Sequence, residues 1–407
     1  MQNAMPELRL APGREASLAR RHPWIFSGAV ASAPAGAAPG DLVRVVSSSG
    51  EELAQAFWSP ASQIRARVLS FDPAEPDVAS EPWIASKIAA AWTRRAGFWN
   101  RASHDAARVV HGEGDGLPGL VVDRYAGALC VQLLSAGFDR RRSEIAAALL
   151  DLFPDVSVVW ERSEGKARAR EGLEDRCGLL ASRPGTAAVD PSAVEIVQDG
   201  VKTAVDLSGG QKTGSYLDQA ANRARVGALA AGLDVLDAFC YDGGFSLACL
   251  RGGAARVTAL DASEPALAAL RANLARNGLS DAPVECVRGD AFETLRRFRD
   301  ARRSFDLVVL DPPKLADSRA RLPKACRAYK DLNRLAFKLL RPGGLLATFS
   351  CSGAVDPALF STVVAEAAVE AGRNARELAR FGQGPDHPVA LSCPEGLYLK
   401  GLLCSVD

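Results

Sequence analysis

The pattern of apolar and polar positions changes character twice along this chain. Up to about residue 75 it has period two. The run "DLVRVVSSSGEELAQAFWSP" reads as a strand, a Ser/Gly turn and a second strand, and "QIRARVLSFD" alternates as a further one. A small β domain is predicted over residues 1–75. The Pro- and Asp-rich "FDPAEPDVASEP" then interrupts the alternation, as a linker does. From about 85 to 103 Trp, Ile and Ala recur at helical spacing, and "ARVVHGEGDGLPGLVVDRYAGALCVQLLS" follows as strands separated by Gly/Asp turns. A helix over roughly Arg140 to Leu152 and the strand "VSVVWERS" complete a predicted compact α+β unit over 76–188.

After residue 190 the pattern becomes strand, glycine loop and helix in alternation. "LDVLDAFC", "RVTALD", "VECVRGD", "FDLVVLDPP" and "GGLLATFS" read as strands, while "SLACLRGGA" and the capped "SEPALAALRANLARNG" read as helices between them. This predicts an α/β domain over 189–407 with a parallel, doubly wound sheet. In such sheets ligands bind at the carboxyl ends of the strands, where the strand order reverses.

Composition narrows the picture. A chain of 407 residues with 48% hydrophobic content exceeds one ordinary core. No apolar run reaches the length of a membrane span and "MQNAMPELRL" lacks the pattern of a secretory signal, so a cytoplasmic location is expected. The nine cysteines show no CxxC pair, which fits a reducing compartment. His22, His104, His111 and His387 lie far apart in sequence, and no metal is expected. Net charge is +1, so any case for nucleic acid rests on local basic runs. These are Arg14, Arg20, Arg21 and His22; Arg140 to Arg142; and Arg319, Arg321, Lys324, Arg327 and Lys330, each of which can equally be a solvated face.

The candidate chemistry gathers at the predicted strand ends. Gly243 and Gly244 sit between a strand and a helix, where a missing Cβ lets the backbone approach a ligand or adopt a strained dihedral. The spacing is not GxGxxG, which argues against a dinucleotide. Asp261 at the second strand tip suits the two hydroxyls of a ribose, and Asp290 at the third suits an adenine edge, with helix capping the alternative for each. In "VVLDPPK" two prolines fix the direction of the backbone after Asp311 and remove two amide donors. Cys351, in "TFSCSG", should end a neighbouring strand beside the same cleft. A thiolate there could add to carbon 6 of cytosine, turning carbon 5 into an enamine-like nucleophile, with Asp311 assisting near nitrogen 3. A buried core cysteine is the competing reading.

The stretches "GREASLARRHPWIFSGAV", "SPASQIRARV", "GGQKTGSYLDQAANR", "DAFCYDGGF", "DPPKL", "ACRAYKDLN", "TFSCSG" and "DHPVALSCPEGLYLKG" together resemble the bacterial large-subunit ribosomal RNA cytosine-C5 methyltransferase I family. The resemblance implies a small β-barrel-like PUA domain, a small α+β domain and a Rossmann-like class I methyltransferase domain that uses S-adenosylmethionine. It implies that Cys351 is the nucleophile and that Asp311 with Pro312 and Pro313 lines the cytosine pocket, where Lys314 follows as a further substrate contact. Asp237, Tyr241, Gly243, Gly244, Asp261, Asp290 and Gln219 of the "LDQ" segment would surround the cofactor. Similar proteins read "TGYYLDQR" where this chain reads "TGSYLDQA"; the basic contact missing at Ala220 would come from Arg223 or Arg225. Cys240 and Asp242 likewise replace the usual serine and threonine. The PUA domain would bind structured RNA, with Arg14, Arg20 and Arg21 on phosphates and Trp24, Phe26 and Trp58 either stacking on bases or filling the core. The partner would be 23S ribosomal RNA or a large-subunit assembly intermediate, and a homodimer is left open.

Two other readings keep the scaffold: a guanine-modifying RNA methyltransferase in which Cys351 is incidental, and a noncatalytic RNA-binding assembly protein. A nicotinamide oxidoreductase is weakest, given the glycine spacing.

Overall fold

The computed structural model describes residues 5–100, 102–186, 189–316 and 318–407. The expected boundary at 188 lies outside the described residues. Contacts divide the chain into two compact units, one of residues 1–197, 205–217 and 385–396, the other of 198–204, 218–384 and 397–407.

The first unit opens with β1 (Glu7–Leu10), β2 (Trp24–Phe26), β3 (Val30–Ser32), β4 (Leu42–Val46), β5 (Glu52–Trp58) and β6 (Ile64–Ser70), in the order β2-β6-β5-β4-β1-β3. The period-two pattern explains its core. Val43 and Val45 point inward from β4 while Arg44 between them faces Glu52, and Leu8, Leu10, Ala66 and Val68 fill the same interior. A second sheet follows from β7 (Ala106–His111), β8 (Leu120–Tyr125), β9 (Ala128–Leu133), β10 (Val158–Ser163) and β11 (Arg176–Ser182), in the order β11-β10-β9-β8-β7. The helices Glu81–Arg95 and Arg142–Leu152 pack apolar residues such as Ile84, Ile88, Ile145 and Leu149 into its core. The first of these begins four residues earlier than its apolar spacing predicts, because Ser80 accepts from the Trp83 amide and Pro82 fits the first turn. The run Arg140 to Arg142 is spent inside this unit: Arg140 pairs with Asp41, Arg141 stacks on Phe57 and binds Ala79 O, and Arg142 bridges Asp139 and Glu161.

A two-stranded hairpin, β12 (Val194–Gln198) and β13 (Val201–Val205), turns at Asp199 and Gly200, both with positive φ.

The second unit holds a seven-stranded sheet of β14 (Asp234–Ala238), β15 (Arg256–Asp261), β16 (Val284–Arg288), β17 (Phe305–Leu310), β18 (Leu340–Ser350), β19 (Ala375–Gly382) and β20 (Lys400–Val406). Its order is β16-β15-β14-β17-β18-β20-β19, so the chain reverses direction across the sheet between β14 and β17. Strands β14 to β18 pair in parallel, as the alternating pattern predicts. The expectation of a wholly parallel sheet is corrected at one edge, where β20 runs antiparallel between β18 and β19. The chain leaves the sheet at Gly382 and re-enters at Lys400, so β20 begins at the edge where the parallel strands end. Both sheet faces are covered. Val235, Val257, Leu307 and Val309 pack on one side and Leu236, Leu260, Val308 and Leu310 on the other, which accounts for continuous apolar runs rather than alternation.

Candidate cofactor and nucleophile site

The register of the parallel strands fixes what meets at their carboxyl edge. Leu310 of β17 pairs with Ala238 of β14 on one side and with Thr348 of β18 on the other. Asp311 therefore leaves the sheet beside the loop after Ala238, and its N–H lies 3.4 Å from the Ala238 carbonyl. Asp311 is half-buried, Pro312 is buried, and Pro313 and Lys314 are exposed. Cys351, just past the end of β18, is half-buried beside them, unlike the buried Cys130, Cys240, Cys249, Cys393 and Cys404.

The two serines around Cys351 have separate structural tasks. Ser350 Oγ lies 2.9 Å from the Tyr329 hydroxyl, and the same hydroxyl is 3.0 Å from Ser352 Oγ. Ser352 Oγ also accepts from the buried Ala316 N–H at 3.1 Å, tying the turn to the "DPPKLA" segment. Burial pushes the Tyr329 phenol above its ordinary value, so it stays a neutral hydrogen-bonding group. From the first position of β20, Lys400 Nζ donates to the carbonyls of Ser352 and Val355 at 2.7 Å each. Sequence reasoning missed Tyr329, Ser350, Ser352 and Lys400. The serines flanking Cys351 and the polar Lys400 at the head of an apolar strand were the available signals.

The rest of the edge is acidic. Asp237, at the end of β14, is 0% exposed; its Oδ2 accepts from Ser246 Oγ at 2.6 Å and its Oδ1 has no partner. Burial raises this carboxyl to about 6, against the opposing effect of the Ser246 hydrogen bonds. Asp261 accepts from the Tyr241 amide at 3.0 Å and the Ser263 amide at 2.8 Å, so it holds the glycine loop against β15. The helix after it is capped by Ser263 instead. Asp290 is exposed and caps the helix Ala291–Asp300 through the Glu293 amide at 3.0 Å. Tyr241 and Gly243 have φ of 50° and 89°, the left-handed turn that the loop requires.

The room at the two glycines is filled by protein. A Cβ on Gly243 would lie 2.1 Å from Leu270 Cδ1, and one on Gly244 2.5 Å from Arg223 Nε. On the side where a Cβ would stand, the two glycines therefore admit a leucine and an arginine of the same unit. Of the two candidates to replace a basic residue at Ala220, Arg223 stands at this loop, where its charge acts on Asp237 and Asp242. Arg225 points instead to the Arg380 carbonyl and stacks on Phe381 at 4.5 Å. In the "LDQ" segment Gln219 is buried; its Oε1 accepts from Asn222 at 2.7 Å and its Nε2 has no partner.

These unpartnered atoms match the group a methyl donor of the S-adenosyl type would bring. A buried carboxylate oxygen at Asp237 suits an ammonium, a buried amide donor at Gln219 suits a carboxylate, and the anchored acid at Asp261 suits a ribose.

In the first unit Arg14, Arg20 and Arg21 are exposed, with no ion pair among the described residues; Arg21 lies 5.5 Å over the Phe71 ring. Trp58 belongs to the core, Trp24 donates to Glu113 at 2.8 Å, and Phe26 is 48% exposed. The fold also brings His22, distant in sequence, together with Cys393 and Glu395, their potential ligand atoms within 4.8 Å of one another. His22 Nδ1 accepts from the Trp24 amide at 3.1 Å, so Nε2 carries the proton and donates to Glu395 at 3.3 Å. No helix among the described residues is long and apolar enough to cross a membrane.

Comparison with known proteins agrees with the acidic edge. Residues 8–71 match the PUA-like domain family and residues 107–397 the S-adenosylmethionine-dependent methyltransferase family. The chain is 44% identical over 401 residues to ribosomal RNA large subunit methyltransferase I of Klebsiella pneumoniae (strain 342), covering 98% of each. It is 43% identical over 400 residues to the protein of the same name from Escherichia coli O9:H4 (strain HS), covering 98% of this chain and 99% of that one. Among solved structures, a methyltransferase complexed with SAH superposes with a TM-score of 0.84 at 21% identity, over 99% of this chain and 100% of that one. That structure attests the fold, with its N-terminal PUA-like domain and Rossmann-like α/β domain here. The chain belongs to the S-adenosylmethionine-dependent methyltransferases, in the family of the proteins named ribosomal RNA large subunit methyltransferase I.

Proposed function

We propose that this enzyme forms 5-methylcytosine in large-subunit (23S) ribosomal RNA, free or in an assembly intermediate, through a covalent adduct at Cys351. The observation that carries the reading is the placement of Cys351 and Asp311 at adjacent parallel strand ends. The relatives' names support the ribosomal RNA substrate.

In this mechanism the Cys351 thiolate adds to carbon 6 of the cytosine, and the ring's electrons move toward carbon 5 while Asp311 supplies a proton at nitrogen 3. The cofactor supplies an electrophilic methyl group, which carbon 5 takes up. Loss of the carbon-5 proton to a base then expels the thiolate, and return of the nitrogen-3 proton to Asp311 restores the neutral aromatic ring. Asp237, Gln219, Tyr241 and Asp261 hold the cofactor, joined by Gly243, Gly244 and Asp290 through the loop and cap they build. Pro312, Pro313 and Lys314 shape the base pocket, and the target base must leave its stack to enter it. Arg14, Arg20 and Arg21 hold RNA phosphates, positioning the substrate without reading its sequence. The enzyme works in the cytoplasm as three parts, 1–75, 76–188 and 189–407.

Bisulfite or mass mapping of ribosomal RNA from cells with and without the protein tests this. One 5-methylcytosine should disappear without it and return with the wild-type chain but not with Cys351→Ala. A methylated guanine lost instead, or full activity in Cys351→Ala, rejects the reading.

A further inference from the structure

A lysine ammonium is costly to bury, and proteins seldom enclose one without pairing it or using it. Lys400 is 5% exposed and forms no ion pair among the described residues. It arrives at the site through the antiparallel insertion of β20, whose first residue lies opposite Ser350 of β18. Two of its N–H bonds go to Ser352 O and Val355 O, at 2.7 Å each, in the turn that begins with Cys351. Neutral donors could tie down two carbonyls, so the charge calls for a further use.

We propose that Lys400 is a positioning residue for methyl transfer, its ammonium clamping the turn after Cys351 and holding the neighbouring sulfur in its ionised, nucleophilic state. This rests on the reading of Cys351 as nucleophile. The charges acting on Lys400 are the Cys351 sulfur and Asp356, which favour its cationic form, and Lys314, which opposes it. Burial is the largest influence and brings its pKa down to about 8. The ammonium is therefore charged near neutrality and lost as pH rises through that value, and its support of the thiolate is present below pH 8. A cation beside a thiol lowers the thiol's own proton affinity by the same coupling.

The test is the pH profile of Cys351 alkylation by iodoacetamide in the full chain, read by mass spectrometry on the peptide containing Cys351. It is made on wild type, Lys400→Met and Lys400→Arg. The wild-type midpoint should fall below 8, under the ordinary thiol value of about 8.5. Lys400→Met should raise it by about one unit, making alkylation at pH 7 about tenfold slower, while Lys400→Arg stays within about threefold of wild type. A folded Lys400→Met with the wild-type profile overturns the proposal. If Lys400→Met fails to fold, the wild-type midpoint decides, and a value of 8 or above overturns it. The alkylation profile needs no RNA, so it is separable from the proposed reaction. Should the midpoints move as expected while Cys351→Ala still methylates RNA, the coupling stands and the cytosine mechanism fails.

Discussion

Replacing Ser352 with alanine removes one oxygen, and the structure gives that oxygen two partners. The Ala316 N–H, buried and 3.1 Å away, would be left without an acceptor, and the Tyr329 hydroxyl would keep Ser350 and the Leu315 backbone. An orphaned buried donor costs about 1–3 kcal/mol and a lost hydroxyl bond about 1 kcal/mol, so Ser352→Ala should destabilise the second unit by about 2–4 kcal/mol. Tyr329→Phe removes the hydroxyl that Ser350, Ser352 and the Leu315 backbone share, and should cost about 1–3 kcal/mol. Because the two side chains share a bond, the double variant should lose about 1 kcal/mol less than the sum of the single losses. Urea unfolding of the four chains, followed by far-ultraviolet circular dichroism, measures this cycle. Kinetics give a second readout. Loosening the turn that aims Cys351 should lower kcat on the order of a hundredfold, since misplacement by about 1 Å has that effect. KM for the methyl donor should stay unchanged, because the residues proposed to hold it, Asp237, Asp261 and Gln219, are untouched. A Ser352→Ala chain within about 0.5 kcal/mol of wild type, or one that changes the cofactor KM and spares kcat, would refute the assignment.

Asp237→Asn should stabilise the cofactor-free protein above pH 6. Its carboxyl titrates near 6 when folded against an ordinary 3.8, so the folded state binds the proton more tightly and stability falls as pH climbs from 4 to 6. The variant escapes a penalty of up to about 3 kcal/mol and should match wild type below pH 4 in thermal melts, while calorimetry shows weakened binding of the methyl donor. Gly243→Ala combines a positive φ with a Cβ against Leu270 and should cost about 2–4 kcal/mol in urea unfolding; a loss under about 1 kcal/mol would contradict the packing account. At Asp290, alanine should cost about 1 kcal/mol of stability and asparagine almost none, since asparagine also caps. If asparagine nevertheless raises the cofactor KM, the carboxylate has a second task at the cofactor.

Much of this was legible in the sequence because its signals are local. Continuous apolar runs ending in acids marked β14, β15 and β17, and the double proline after Asp311 marked a fixed exit from the sheet. What was not legible depends on long-range pairing. The strand "KGLLCSV" has the same apolar character whichever way it runs, so nothing in it announces that β20 is antiparallel or that Lys400 begins beside the end of β18. The glycine pair illustrates the same limit. Sequence marks Gly243 and Gly244 as a loop where a ligand or a strained dihedral needs the missing Cβ, and only the fold shows that Leu270 and Arg223 fill the space a Cβ would take. The arginine run at 140–142 reads as a basic patch until its partners, Asp41, Phe57 and Glu161, are brought to it from elsewhere in the chain.

The covalent step can be trapped directly. A cytosine bearing fluorine at carbon 5 accepts the thiolate and the methyl group but has no carbon-5 proton to lose, so the adduct cannot resolve. Incubation of the enzyme and methyl donor with 5-fluorocytosine-substituted ribosomal RNA should give a complex stable to denaturant, with the nucleotide mass on the peptide containing Cys351. Absence of any complex under conditions where unsubstituted RNA is methylated, or a complex that persists in Cys351→Ala, would contradict the account.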